Sequence, residues 1–491
     1  MKPMPDTSLL GIGGTFFLGV YLCVLILIGV AGRRARRENS MADFFLGGRK
    51  MGLLVLFLTL YATQYSGNTL IGYAGAAYRQ GFRFLVSVTF MMSIIGGYLI
   101  FAPKLHRLSK KEGFITLGDF LQHRYRSQTL TIASTVLCIF ALANYILSNL
   151  KAMGYLVEGS TGGRISFAQG ILVLSLIMVI YETLGGLRSV AWTDVMQGVM
   201  LLAGCVVIFV AMEYQYGGLS AAADRLLTMR PDFWQPPDAA GKRVWLSTLA
   251  IIFLGVPVYP QAIQRIYAAR NENILRRSLQ LMVFMPLVTT FFIVVVGIVG
   301  ASQFPGLDRQ GSEGVALRVL SDIAVELPAI APLIVLFLFA VVAAIMSTVD
   351  SALLAISSSI TQDLYRPFRP QASQERLTSV GKRLSWLLMA ALAYLATVLP
   401  QTIWRLTEIK LELLCQVSPA LLLGIHSHGL RGRAVLAGMV SGTAITLILM
   451  VLSISGAGLS TKPLGVHSGI WGLGVNLLVV GIVTKVGRRD G

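Results

Sequence analysis

Apolar stretches, each about long enough to cross a bilayer, recur from one end of this chain to the other with short basic loops between them. A helix needs about 20 such residues to span the hydrocarbon, and in lipid every backbone polar group must be satisfied within the segment. The expected spans are Leu9–Val30, Met51–Tyr78, Phe82–Phe101, Leu130–Met153, Ile165–Thr183, Trp192–Val210, Trp245–Arg265, Leu279–Val299, Leu327–Ile360, Leu384–Leu399, Ile403–Ile425, Ala434–Ile454 and Ser468–Thr484. The fold class that follows is an all-α polytopic membrane protein of about 13 transmembrane helices.

Composition excludes the alternatives. Of the 491 residues 55% are hydrophobic and 13% charged, about half the charged fraction of a soluble domain, so residues 1–491 read as a single membrane domain. The 41 Lys+Arg against 23 Asp+Glu give +18, but the basic residues cluster between apolar spans, as at Arg33–Arg37, Lys110–Lys111 and Arg276–Arg277. They read as topology signals rather than a nucleic-acid footprint. Cys23, Cys138, Cys205 and Cys415 lie far apart inside apolar runs and imply neither a disulfide framework nor a zinc site. The first run is followed by Arg33–Arg37 instead of a small-residue cleavage site and reads as a retained span.

An odd number of spans puts the termini on opposite sides. The basic clusters at 33–50, 104–126, 265–277, 366–383, 426–433 and 485–489 fall on alternate sides from the sparse loops near Arg79, Arg164 and Lys462. By the positive-inside rule the N-terminus is expected outside and the C-terminus in the cytoplasm, with the protein in the cell inner membrane.

Two spans are interrupted. The second carries Thr63-Gln64-Tyr65-Ser66-Gly67-Asn68-Thr69 in its middle, and the seventh carries Gly255, Pro257 and Pro260 around Tyr259. Broken helices at corresponding positions of two halves point to a binding site, because freed backbone groups there ligate ions and solute. Spans two to six (51–210) form one expected repeat and spans seven to eleven the other. The second repeat and the first additional C-terminal helix cover 245–454, and 9–30 and 468–484 lie outside the repeats. Gly and Pro are also common in membrane helices without any such role.

The residues resemble the sodium:solute symporter family of proline, pantothenate, sialic acid and sodium/glucose transporters. The likeness is carried by Asp43-Phe44-Phe45-Leu46-Gly47-Gly48-Arg49, Thr116-Leu117-Gly118-Asp119-Phe120 with Arg124-Tyr125, and Tyr181-x-Thr183-x-Gly185-Gly186. It continues through Trp192-Thr193-Asp194-x-x-Gln197, Gln264-Arg265-x-x-Ala268-Ala269, and Ala344-Ile345-Met346-Ser347-Thr348 followed by Asp363-Leu364-Tyr365. It implies a 5+5 inverted repeat like that of the leucine transporter, with one extra helix before and two after the core. It also implies Na+ as coupling ion and symport of a small organic solute, an amino acid, sugar or carboxylate, by alternating access.

Sodium is a hard cation and takes oxygen ligands. On one helix face Ala344, Ser347 and Thr348 offer a carbonyl and two hydroxyls, although membrane hydroxyls also bond back to their own helix. The family motif implies that carbonyls of Ala62 and Tyr65 complete the site. Asp194 and Asp350 are costly inside spans. Two readings stand for them: a second cation or proton held with Ser351, or, for Asp194, a solvated position near the cytoplasmic mouth or a pair with Arg188. Gln64 stands where proline-type transporters carry an acid, which weakens a proline assignment. The expected solute contacts are Gln64, Asn68, Thr69, Tyr259 and Gln261. Glu408, Lys410 and Glu412 read as an internal ion network or an exposed helix end in preference to a ligand site.

No His/Cys cluster, Ser-His-Asp order or nucleotide loop supports an enzyme. A membrane sensor built on a symporter-like domain, or a proton-coupled transporter, is the rival. The sensor is disfavoured because the chain is expected to end a few residues after its last span with no signalling module. The lipid bilayer is an expected partner, nucleic acid is not, and no obligate protein partner is inferred.

Overall fold

A computed structural model of the chain describes residues 10–399, 403–454 and 462–489. Among the described residues there is no β-strand, and a single isolated parallel bridge joins Met51 to Ala269. Helices occupy each apolar stretch. They include Ile12–Arg34, Val86–Glu112, Gln128–Ser160, Phe167–Gly185, Leu187–Tyr216, Ala331–Ser359, Gln374–Val398, Ile403–Leu422, Gly432–Ile454 and Ser468–Arg489. Hydroxyl side chains begin several of them. Ser127, Ser166 and Ser373 each accept an amide from the first turn, which satisfies donors a helix end leaves free.

Among the described residues ten helices are long and apolar enough to cross a membrane. Three expected spans fall outside that group, each for a visible reason. The second span is split by its polar centre into Leu53–Gln64 and a continuation that joins the third span. Gln374–Val398 carries Arg376, Lys382 and Arg383 in its first half, and Ile403–Leu422 carries Glu408, Lys410 and Glu412. Leu9, the expected start of the first span, lies outside the described residues. The second span begins at Leu53 rather than Met51, because the Met51 backbone is committed elsewhere: its N–H donates to Ala268 O at 3.1 Å and its carbonyl accepts from Arg270 N at 3.0 Å.

The surface is apolar in the manner of a lipid-facing bundle. Phe16, Leu27, Leu54, Leu172, Val210, Leu387 and Leu478 are all exposed. In water each would cost about 25 cal/mol per Å² of apolar area, and in lipid none. The interior instead holds charge: among the described residues Arg265 is the largest fully buried side chain, and Asp194, Asp350 and Glu182 are fully buried too.

The sequence motifs meet one another across the bundle. Asp119 caps its own helix, accepting from Thr116 N, and also accepts from Gln362 at 2.8 Å, while Asp363 accepts from Thr116 at 2.5 Å and Thr135 at 2.9 Å. Gly186 is a positional requirement. It has φ +62°, and a Cβ there would stand 2.3 Å from Phe44 O, so two motifs distant in sequence touch backbone to backbone.

Candidate functional site

The first interrupted helix stops at Gln64, where Tyr65 turns to extended backbone, and resumes through a wide turn over Asn68–Gly72 into Tyr73–Gln80. The freed backbone is partly satisfied by another helix: Gly67 N donates to Asn149 Oδ1 at 3.0 Å. A Cβ on Gly67 would lie 2.7 Å from Ile345 and 3.0 Å from Ala152, so only glycine lets this segment press against the helix of Ala344, Ser347 and Thr348. The second interrupted helix runs Ala239–Gly255, a tight turn Val256–Val258, then Pro260–Ala268. Pro257 and Pro260 have no N–H to continue a helix. The breaks expected from Gly and Pro thus stand where the sequence put them.

All five expected sodium ligands, Ala62, Tyr65, Ala344, Ser347 and Thr348, are buried. The two hydroxyls spend their protons on other acceptors. Thr348 Oγ1 donates to Ala344 O at 3.0 Å and Ser347 Oγ donates to Asp194 Oδ1 at 2.5 Å. A hydroxyl so committed keeps its lone pairs for a cation, so the donor set fits a hard ion. Tyr145 and Ser66 both border an adjoining cavity.

Asp194 is fully buried, and its partner is Arg265 rather than Arg188. Arg188 instead forms a forked pair with Asp43 at 2.9 and 3.3 Å. The reading of Asp194 as solvated or paired with Arg188 is therefore corrected. A guanidinium from the second interrupted helix reaches it first. Arg265 Nη2 lies 3.0 Å from Asp194 Oδ2 and also bonds Ser351, its Nε donates to Thr59 at 2.9 Å, and its Nη1 donates to Gln261 O at 3.1 Å. Thr59 in turn donates to Asp194, Tyr181 donates to Asp350, and Ser351 Oγ approaches Asp350 at 3.4 Å. Asp194, Asp350 and Ser351 do form one cluster, and a tethered cation already sits in it.

Against the first interruption lies a cavity of about 70 Å³, room for roughly five waters. Gln64, Thr69 and Tyr259 line it, with Ser66, Tyr73, Tyr98, Tyr145 and the apolar Leu60, Met91, Ile94, Ile252, Val256 and Leu411. Gln64 Nε2 reaches Met91 O only at 3.5 Å. Gln261 is not in the lining. It is fully buried with neither amide atom partnered. The side chain of Asn68 lies outside the described residues.

The run Glu408-Lys410-Glu412 is not one ion network. Glu408 pairs with Lys462 at 3.1 Å and Glu412 approaches His467 Nδ1 at 3.3 Å, whereas Lys410 lines the cavity. Spacing of two along a helix puts Lys410 on the opposite face from both acids. Sequence reasoning also passed over Tyr145, Asn149 and Arg265 as site residues. The only available signal was polarity inside an apolar helix, which Asn149 and Lys410 share.

A bundle of apolar helices in which two interrupted members line one polar cavity, beside a helix that carries buried hydroxyls, has the architecture of a secondary transporter. The model of the sodium:solute symporter family matches residues 44–457, and the chain belongs to that family. It is similar to the sodium/pantothenate symporter of Escherichia coli (strain K12), 28% identical over 484 residues that cover 96% of each chain. It is similar also to the osmoregulated proline transporter OpuE of Bacillus subtilis (strain 168), 27% identical over 96% of this chain and 94% of that one. Among solved structures, the substrate-bound outward-open state of a Na+-coupled sialic acid symporter shares the fold, with a TM-score of 0.80 at 18% identity over 97% and 98% of the two chains. The protein is a multi-pass membrane symporter with Na+ as coupling ion, and not an enzyme.

Proposed function

We propose that the chain imports a small organic solute by sodium-driven alternating access between two five-helix repeats, 51–210 and spans seven to eleven, within a thirteen-helix inner-membrane protein. The N-terminus lies outside and the C-terminus in the cytoplasm, as the basic loops favour. The observation that carries the reading is Gly67, which brings the interrupted first helix against Ile345, beside the hydroxyls of Ser347 and Thr348. Sodium is bound there by the carbonyls of Ala62, Tyr65 and Ala344 and by the two hydroxyls. The solute occupies the adjoining cavity, held by Gln64, Thr69 and Tyr259 from both interrupted helices, with Asn68 and Gln261 drawn in when it binds. Tyr145, which borders the cavity together with Ser66, is where solute and sodium sense each other. Because coupling is reciprocal, whatever sodium adds to solute affinity the solute adds to sodium affinity.

A second cation at Asp194, Asp350 and Ser351 would enter only where Arg265 withdraws. Asp194 otherwise acts by orienting Ser347. Uptake into proteoliposomes tests the proposal, with a panel of amino acids, sugars and carboxylates under sodium, lithium and proton gradients. At least one solute should accumulate under the sodium gradient and fail to accumulate when the gradient is absent. Accumulation driven by protons alone would favour the proton-coupled reading, and binding without flux would favour a sensor.

A further inference from the structure

Among the described residues Lys410 is the one charged side chain lining the cavity, and neither Asp nor Glu lines it. It is 4% exposed. Among the described residues no carboxylate lies within ion-pair distance of its ammonium, since the two acids on its own helix are engaged by Lys462 and His467 on the far face. What faces the ammonium is aromatic. Its Nζ stands 3.4 Å from the centroid of the Tyr145 ring and 4.9 Å from that of Tyr259.

A buried ammonium without a counter-ion is costly, and cation–π contact offsets only part of the loss of water. The natural complement is an anion that arrives with the ligand. Two rings facing one compartment could otherwise cage a solute's own ammonium, but the chain's lysine already occupies them. An amino acid or quaternary amine entering here would place its positive group against Lys410.

We propose that Lys410 is the anchor for an anionic group of the solute, and that the transported class is small organic carboxylates, with the anion at Lys410 and the body against Leu60, Met91, Ile94 and Val256. This rests on the assignment of the cavity as the solute site and narrows it. Sodium at the neighbouring ligands crosses with the carboxylate, so the transported pair is electroneutral while Lys410 stays with the protein. The ring of Tyr145 that meets the ammonium borders the same cavity as Ser66, the residue after the expected sodium ligand Tyr65.

The test uses matched probes on the purified full-length protein: straight-chain, 2-hydroxy and 2-oxo monocarboxylates, each beside its primary amide, with neutral sugars and amino acids as further controls. Thermal stabilisation in sodium buffer and sodium-driven uptake into proteoliposomes are both read. At least one carboxylate should stabilise and enter while its amide does neither. Lys410→Met should raise the half-saturating carboxylate concentration by about ten- to a hundredfold, the loss expected of a charge-assisted hydrogen bond. Lys410→Arg should recover part of that loss, and stabilisation by sodium alone should survive in both variants, which shows that they fold. The proposal is overturned if no carboxylate binds, if amides serve equally well, or if Lys410→Met leaves carboxylate affinity unchanged. Sodium-driven uptake of a neutral or zwitterionic solute would overturn it while leaving the symport reading intact. Sodium-independent uptake of a carboxylate would do the reverse.

Discussion

Ser347 and Thr348 are neighbours with the same proposed duty, yet the structure gives them different second roles, and that difference can be measured. Thr348 Oγ1 bonds back to Ala344 O of its own helix, whereas Ser347 Oγ supplies a bond to the buried Asp194 carboxylate at 2.5 Å. Thr348→Val removes an oxygen at nearly constant volume, and a back-bond of this kind adds little to helix stability. Ser347→Ala removes an oxygen and also one of the donors to a buried charge, whose loss costs about 1.5–3 kcal/mol. Asp194 keeps Arg265 and Thr59, so the lower end of that range applies. Each variant should weaken sodium binding by roughly ten- to a hundredfold, taking one oxygen–cation contact as comparable to a hydrogen bond to a charged group. Melting of purified protein in potassium, then in rising sodium, separates the two effects, because stabilisation follows RT ln(1 + [Na+]/Kd). Thr348→Val should melt near wild type in potassium and gain little from sodium, and Ser347→Ala should melt lower in potassium as well. Wild-type sodium dependence in Thr348→Val would refute the ion site. Equal sodium-free losses in both variants would refute the link from Ser347 to Asp194.

Arg265→Met leaves Asp194 buried with two hydroxyls and no cation, a change that costs about 3–5 kcal/mol, so it should sharply lower the melting temperature; adding Asp194→Asn should restore most of it, and an unrescued double variant would contradict the pairing. Gln261→Leu should stabilise the resting protein, since two orphaned polar atoms cost about 1–3 kcal/mol each, yet weaken solute uptake by roughly ten- to a hundredfold; lower stability with normal uptake would show the amide to be structural. In a background without Cys23, Cys138, Cys205 and Cys415, Thr228→Cys should react with an impermeant thiol reagent in intact cells and Ser373→Cys should not. Both positions are exposed, so the reverse pattern would invert the orientation.

Much of this fold was readable because its signals are local. Glycine and proline inside apolar runs marked both interruptions, and the i, i+3, i+4 spacing of Ala344, Ser347 and Thr348 put three oxygen donors on one face before any packing was known. Partnership was not readable in the same way. Asp194 and Arg265 stand 71 positions apart on different helices, and nothing local distinguishes that pair from Asp194 with Arg188, only six residues before it. Likewise Glu408, Lys410 and Glu412 look like a self-neutralising run until Lys462 and His467 draw the acids to one face and leave the lysine in the cavity. Tyr145 carried no sequence signal, because an aromatic residue in an apolar helix is ordinarily packing.

The central claim is that sodium and solute move as one coupled step, and the most direct test runs the protein in reverse. Proteoliposomes are prepared with equal sodium inside and out, the membrane potential is clamped to zero, and a gradient of the solute that passed the uptake panel is imposed. Radiolabelled sodium should then move against its own developing gradient in the direction of the solute, and Thr348→Val should abolish that movement at low sodium. Solute that equilibrates while sodium stays at rest would contradict the account.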